Sequence, residues 1–299
     1  MEAYAYSPSH ITGIFQILDH HPNPLYRGSR GGGLCIRLGV HTRVRARPSC
    51  KPESIIFING IKSPAPVSRC VLGIYESILG RRFSFIVEHE TSVPMGSGFG
   101  VSGAGALSLS LALNELLNLG LSKMEAAQLA HIAEVKCKTG LGTVIAETVG
   151  GVELRVREGA PKIGKVKGME PNGRCSLVAL YLGPLSTKLM LSNKSVRRKI
   201  DKTAEELMAL LIREPSVENL LRCSSKFSER TGLMTSRAKA ALKLLQKRGW
   251  QGAMAMFGEV IFTLVRHNEV GEVEALLQSF EDGRVLISDV EPEGARVLC

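Results

Sequence analysis

An α+β fold is predicted for this chain on three observations. Strand-like segments crowd its first part and helical segments its last. No regular strand–helix alternation runs along it, as a doubly wound parallel sheet requires. A glycine-rich run, Pro94-Met-Gly-Ser-Gly-Phe-Gly-Val-Ser-Gly-Ala-Gly105, follows one strand and opens into a long apolar helix.

The elements follow in order. Ile11 to Leu18 is apolar enough for a buried strand. In the strand Leu34 to Arg47, Val40, Thr42, Val44 and Ala46 face one way, and His41, Arg43, Arg45 and Arg47 the other. That alternation marks a half-buried strand with a basic outer face. Ser54 to Ile58 is a short strand ended by an Asn59-Gly60 turn. Val67, Val71, Ile74, Tyr75 and Ile78 stripe a helix over Ala65 to Leu79, stopped by Gly80. Strand Phe83 to Glu90 leads into the glycine run and a helix over Ser102 to Leu119. Ser122, with Glu125 three residues on, is a capping box for a helix reaching about Cys137. Gly150-Gly151 turns into the strand Val152 to Arg157.

Gly159 to Gly173 is rich in proline, glycine and lysine and is expected to connect two parts, 1–165 and 166–299. Strand Ser176 to Leu182 opens the second part. Helices are expected over Ser195–Ile212, Val217–Glu229, Ser236–Arg248, Ala253–His267 and Val270–Phe280, then strands over Arg284–Val290 and Ala295–Leu298.

The chain has 299 residues, enough to bury a substantial core in one large domain or two joined ones. Seven scattered cysteines with no C-x-x-C pair fit neither a disulfide framework nor a zinc site, and free thiols in a reducing cytoplasm are expected. Met1 to Ser9 lacks the basic-then-apolar run of a secretory signal, and no apolar run is long enough to span a membrane. A cytoplasmic, membrane-free protein is expected. Net charge is +10, and Arg155 to Trp250 holds 21 Lys and Arg against 8 Asp and Glu. Few aromatic residues and no nucleic-acid motif accompany that basic half, so a solvated surface is expected rather than a nucleic-acid partner.

Glycines let a backbone aim several N–H groups at one anion, and a helix N-terminus adds free N–H groups and a positive dipole end. The run therefore points to phosphate. Ala104 follows Gly103 where a Walker loop needs lysine. Gly98-Phe-Gly-Val-Ser-Gly103 matches a dinucleotide fingerprint, but no acidic partner follows at the required distance and no βαβ unit surrounds it.

Pro94-x-Gly96-x-Gly98-Phe99-Gly100-x-Ser102-Gly103-Ala104 resembles the phosphate loop of the GHMP kinase superfamily. Ser7-Pro-Ser-His-Ile-Thr-Gly13, Gly28-Ser-Arg-Gly31, Ala130-His-Ile-Ala-Glu134, Thr139-Gly-Leu-Gly-Thr-Val-Ile-Ala146, Ala253-Met-Ala-Met-Phe-Gly258 and Glu293-Gly-Ala-Arg-Val-Leu298 resemble segments of the archaeal pantoate kinases. The resemblance implies the two-part GHMP kinase fold: an N-terminal part like domain 2 of ribosomal protein S5 and a helix-rich C-terminal α+β part. It also implies ATP and Mg²⁺ as cofactors and pantoate as the small-molecule substrate, on the path to coenzyme A. A related kinase with a homoserine or mevalonate-type acceptor, or a nucleotide-binding regulator without catalysis, stays open. So does a homodimer.

The resemblance also implies roles. Pro94, Gly96, Ser97, Gly98, Phe99, Gly100, Val101, Ser102, Gly103 and Ala104 would cradle the ATP phosphates. Ser102 and Glu134 would be catalytic and hold Mg²⁺, a hard cation that prefers oxygen. Ser102 as a helix-capping hydroxyl and Glu134 as a partner of Lys138 are the plainer readings. Thr143 occupies the catalytic position where several superfamily kinases carry an aspartate base, a part threonine cannot play at pH 7. Glu147, one helical turn on, is the nearest carboxylate, and the base is left unassigned. Arg30 is the first choice for the substrate carboxylate, with Ser29 beside it and His10 and Thr12 as partners of the hydroxyls. Arg30 as a surface residue and His10 as a core histidine compete with this. Gly252 to Gly258 is expected to be a helix packed on the site, with Met254 and Met256 in the core.

Overall fold

The fold was taken from a computed structural model, which describes residues 1–80, 82–185, 194–280 and 282–298. Among these, the strands form two sheets. The first contains β1 (Glu2–Leu18), β2 (Gly28–Pro48), β3 (Ile55–Ile58), β4 (Ile61–Lys62), β5 (Phe83–Thr91), β6 (Val152–Arg157), β7 (Lys165–Met169) and β12 (Arg296–Leu298). Its spine runs β12-β1-β2-β5-β3-β4, and β6 and β7 extend from β2. All pairings are antiparallel except β3 with β5. The second sheet has the order β11-β8-β10-β9, from Arg284–Asp289, Cys175–Gly183, Glu259–Arg266 and Gly252–Met254.

Helices α1 (Pro66–Leu79), α2 (Val101–Leu116), α3 (Lys123–Cys137) and α4 (Thr143–Val149) belong to the first half. α1 to α3 share an apolar core with β1, β2, β3 and β5, centred on Tyr75, Phe85, Leu107 and the alanines of α3. Helices α5 (Lys194–Arg213) and α6 (Val217–Thr231) pack on the other side of β1 and β2. They share a core with β8 and β10 that joins the two sheets. Helices α7 (Ser236–Lys247) and α8 (Val270–Leu277) close the outer face of the second sheet.

Local sequence chemistry accounts for several boundaries. The Ser122–Glu125 capping box is formed at α3, and Gly80 ends α1 in a left-handed conformation. The alternation in β2 holds: Thr42, Val44 and Ala46 are buried, whereas His41 and Arg47 are exposed.

Two expectations are corrected. The segment Ala253–His267 is not a helix but the hairpin of β9 and β10. Val260 and Phe262 face the core between the sheets, while Ile261 and Val265 face α7 and α8. A strand buried on both faces shows no period of two, so its apolar run reads like a helix. Met254 and Met256 are core residues, as expected. The connector Gly159–Gly173 is also not plain loop, because its residues Lys165–Met169 form β7 and pair with β6.

The turn between β9 and β10 packs against the glycine run. A Cβ on Gly258 would lie 1.8 Å from the Ser97 carbonyl oxygen, and one on Gly98 would lie 2.8 Å from the Met256 carbonyl oxygen. Gly98 also has φ +86°, a conformation open to glycine and strained for other residues.

Beneath α2 lies a buried polar chain. The His89 ring joins Thr42 Oγ1 at 2.8 Å and Ser68 Oγ at 3.0 Å, and Thr42 continues to Ser108 Oγ at 2.6 Å. Burial lowers the His89 pKa to about 4. The unfolded chain takes up a proton near the ordinary value of about 6.5. Stability from this residue is therefore full above that value and is lost as pH falls toward 4.

Two outcomes are expected. Gly258→Ala should destabilise the protein by about 1–3 kcal/mol in denaturant unfolding, because backbone rather than a flexible side chain must move; wild-type stability would contradict the clamp. The His89 imidazole, followed by NMR, should titrate near pH 4; a midpoint near 6.5 would contradict its burial.

Candidate active site

The glycine run is held by neighbouring backbone. His10 N–H donates to the Phe99 carbonyl at 2.9 Å, tying the run to β1. Ser97 Oγ donates to the Pro94 carbonyl and closes the first turn of the loop. Gly96, Gly98 and Gly100 all have positive φ, which folds the backbone tightly on itself. Phe99, Val101 and Ala104 anchor the run in the core between the sheets. The N-cap of α2 is Gly100, and no side chain caps that end. The first N–H groups of a sixteen-residue helix thus lack side-chain acceptors, the arrangement that favours a bound anion.

Ser102 stands in the first turn of α2, and its hydroxyl donates to Glu134 Oε1 at 2.6 Å. Thr139 Oγ1 donates to the same oxygen at 2.7 Å. Glu134 is buried on α3, and burial pushes its carboxyl pKa up, opposed by the Ser102 and Thr139 hydrogen bonds. Gly140 permits this crossing, since a Cβ there would meet Glu134 Oε2 at 2.2 Å.

Thr143 begins α4 and faces the loop, its Cγ2 lying 2.6 Å from where a Gly100 Cβ would sit and 3.2 Å from a Gly103 Cβ. One turn deeper is Glu147, whose carboxyl oxygens fall 2.8 and 3.0 Å from the same two positions. Glu147 is fully buried, and neither of its carboxyl oxygens has a hydrogen-bond partner among the described residues. Burial first, and the charge of Glu134 second, push its pKa well above the ordinary carboxylate range.

Next to Thr143 lies a second polar corner. A Cβ on Gly142 would be 2.2 Å from Ser29 Oγ and 2.8 Å from Arg155 Nε. Arg155 is buried on β6, donates through Nη1 to Glu153 Oε1, and leaves Nε unpaired. His10 Nε2 is 2.9 Å from the same Glu153 oxygen, and His10 Nδ1 is 3.1 Å from Thr12 Oγ1. Glu153 accepts, so Nε2 carries the proton and Nδ1 accepts from Thr12. Burial lowers the His10 pKa, and Glu153 only partly opposes it, so the ring is neutral at pH 7.

The structure thus brings His10, Thr12 and Ser29 together beside the loop. Arg30 stands elsewhere. Gly31 and Gly33 on β2 turn toward Arg155 and His10, and Gly32 turns toward Leu211 and Leu220 of α5 and α6. Strand alternation places Arg30 on the Gly32 side, where it donates to Gln16 Oε1 at 2.9 and 2.6 Å. The sequence reading missed Glu153 and Arg155. They alternate with Val152, Leu154 and Val156 as the charges of a half-solvated strand do, yet both are buried. Two large clefts, of 530 Å³ around His21, Tyr26 and Arg157 and of 370 Å³ around Lys226 and Trp250, lie outside this arrangement.

The residues present fit a magnesium ion. Ser102 and Glu134 offer hard oxygen donors beside the N-terminal end of α2, which no side chain caps, and Mg²⁺ prefers such oxygens. No helix among the described residues is long and apolar enough to cross a membrane.

Comparison with known proteins agrees with this geometry. The GHMP kinases N terminal domain matches residues 67–151, a span holding the loop, Ser102, Glu134 and Thr143. The chain is 32% identical over 277 residues to a pantoate kinase of Thermococcus kodakarensis, covering 91% of each chain. It is 30% identical over 274 residues to a pantoate kinase of Methanocaldococcus jannaschii, covering 92% of this chain and 97% of that one. A solved structure described as a phosphotransferase related to the CoA biosynthesis pathway superposes with a TM-score of 0.90 at 29% identity, over 100% of this chain and 99% of the other. The chain belongs to the GHMP kinases, ATP-dependent enzymes of small-molecule phosphoryl transfer, and within them to the pantoate kinase family.

Proposed function

We propose that the protein transfers the γ-phosphoryl group of ATP to the 4-hydroxyl of pantoate, releasing ADP and 4-phosphopantoate on the path to coenzyme A. The observation that carries this reading is the corner of Ser29, Gly142 and Arg155, with one buried guanidinium N–H unspent next to the phosphate loop. A small hydroxy acid has the oxygens to use that donor. The names of the two relatives support the same acceptor.

Phosphoryl transfer depends on positioning and on neutralising charge rather than on covalent chemistry. In this reading the backbone from Gly96 to Gly103 cradles the phosphates, and the end of α2 faces their negative charge. Ser102 and Glu134 would hold Mg²⁺, which when bound neutralises phosphate charge. Arg155 takes the substrate-carboxylate role that the sequence reading gave to Arg30, and Ser29, Thr12 and neutral His10 orient the hydroxyls. Glu153 fixes both the His10 tautomer and the Arg155 guanidinium. Thr143 supplies no base. The hydroxyl proton passes late to phosphate or solvent, as a loose transition state allows.

The acceptor is tested by ADP release from purified protein with ATP and Mg²⁺. Release is expected with pantoate and not with homoserine or mevalonate. No release with pantoate, or release with another acceptor alone, would overturn the reading. Variants separate the two halves of the site. Ser102→Ala should lower kcat at least about 100-fold, with little change in the pantoate KM. Arg155→Lys should chiefly raise the pantoate KM, by about 10-fold or more, since lysine cannot reproduce the guanidinium fork. Equal losses of kcat from both variants with unchanged KM would contradict this division.

A further inference from the structure

Cys70 and Cys137 are 67 positions apart in the chain, yet the packing of α1 on α3 brings them together. Both are half-buried, and Cys70 is close enough to raise the Cys137 pKa. The Cys137 thiol also lies 3.8 Å from the Pro66 carbonyl oxygen, one helical turn before Cys70. Cys137 is the last residue of α3 and is followed by Lys138 in a left-handed C-cap. Thr139 comes next and turns back to Glu134, its N–H donating to the Glu134 carbonyl at 3.1 Å and its hydroxyl to the carboxyl at 2.7 Å.

We propose that Cys70 and Cys137 form an oxidisable dithiol site, which a peroxide converts into an intrachain disulfide locking the end of α3 to α1. The steps balance. The Cys137 sulfur attacks the O–O bond of hydrogen peroxide, giving a sulfenic acid and one water. The Cys70 sulfur then attacks the sulfenic sulfur, the S–S bond forms, and the hydroxyl leaves with the Cys70 proton as a second water. Two electrons pass from the thiols to the peroxide. Bridging needs Cα atoms within about 7 Å of each other, a separation that two helices packed side by side can offer.

Burial and the neighbouring Cys70 raise the Cys137 pKa. Less thiolate is present at neutral pH, so oxidation speeds up as pH rises. Cys35 and Cys223 are buried, Cys175 is half-buried at the start of β8, Cys50 is exposed, and Cys299 lies outside the described residues. The lock closes a long chain segment, and a cross-link of that span should raise the melting temperature by roughly 5–10 °C.

The test treats the full chain with hydrogen peroxide and follows it by thiol titration, peptide mass mapping without reductant, and thermal melting. The expected result is the loss of two of the seven thiols, a Cys70–Cys137 linked peptide, and a higher melting temperature reversed by dithiothreitol. Cys70→Ser and Cys137→Ser should each abolish the linked peptide and the shift while melting like the reduced wild type. A sulfinic or sulfonic acid at Cys137 with no linked peptide would overturn the proposal. So would linkage to another cysteine, or an oxidised form that melts no higher than the reduced one.

Discussion

The site depends on two backbone hydrogen bonds made by two residues of β1, His10 and Thr12. His10 N–H holds the Phe99 carbonyl at 2.9 Å, and the Thr12 carbonyl accepts from Met256 N–H at 2.8 Å. The first bond fixes the phosphate loop, and the second fixes the β9–β10 turn of the other sheet. Gly98 and Gly258 then let these segments touch backbone to backbone. One strand therefore sets the loop, the turn that covers it, and the side chains of His10 and Thr12. No lid or long side chain is needed to place the end of α2.

Around this frame the protein buries an unusual amount of charge. Isolated buried carboxylates are costly unless they are paired, protonated or bound to a cation. Glu153 is offset by Arg155 and His10. Among the described residues Glu134 is offset only by two hydroxyls, and Glu147 has no hydrogen-bond partner. Their raised pKa values state the same imbalance from the proton's side. The end of α2 offers positive potential close by, and in the proposed function a magnesium–nucleotide complex would bring both a cation for Glu134 and anionic oxygens for the free N–H groups. The two halves of that ligand match the two kinds of unsatisfied group.

Much of this was legible in the sequence because its determinants are local. The glycine spacing, the capping box at Ser122 and the alternation in β2 each act within a few residues. Long-range burial was not legible. The strand β10 was hidden because both of its faces are covered, which erased the alternation that marks a strand. Glu153 and Arg155 escaped for a related reason: they alternate with apolar residues as surface charges do, and only the fold shows that β6 is covered there. Glu147 gave no sign that its helix turns inward under the loop. Arg30 had a persuasive local setting, but its side of β2 is decided by pairing with β1 and β6. The meeting of Cys70 with Cys137 follows from helix packing alone.

The most direct measurement is a structure of the protein with Mg²⁺ and a non-hydrolysable ATP analogue. The account predicts phosphate oxygens on the N–H groups at the start of α2, and the metal bonded to Ser102 Oγ and a Glu134 oxygen. The Phe99–His10 and Met256–Thr12 backbone bonds should be unchanged. Phosphates bound away from α2, or a metal with no bond to Glu134, would contradict it.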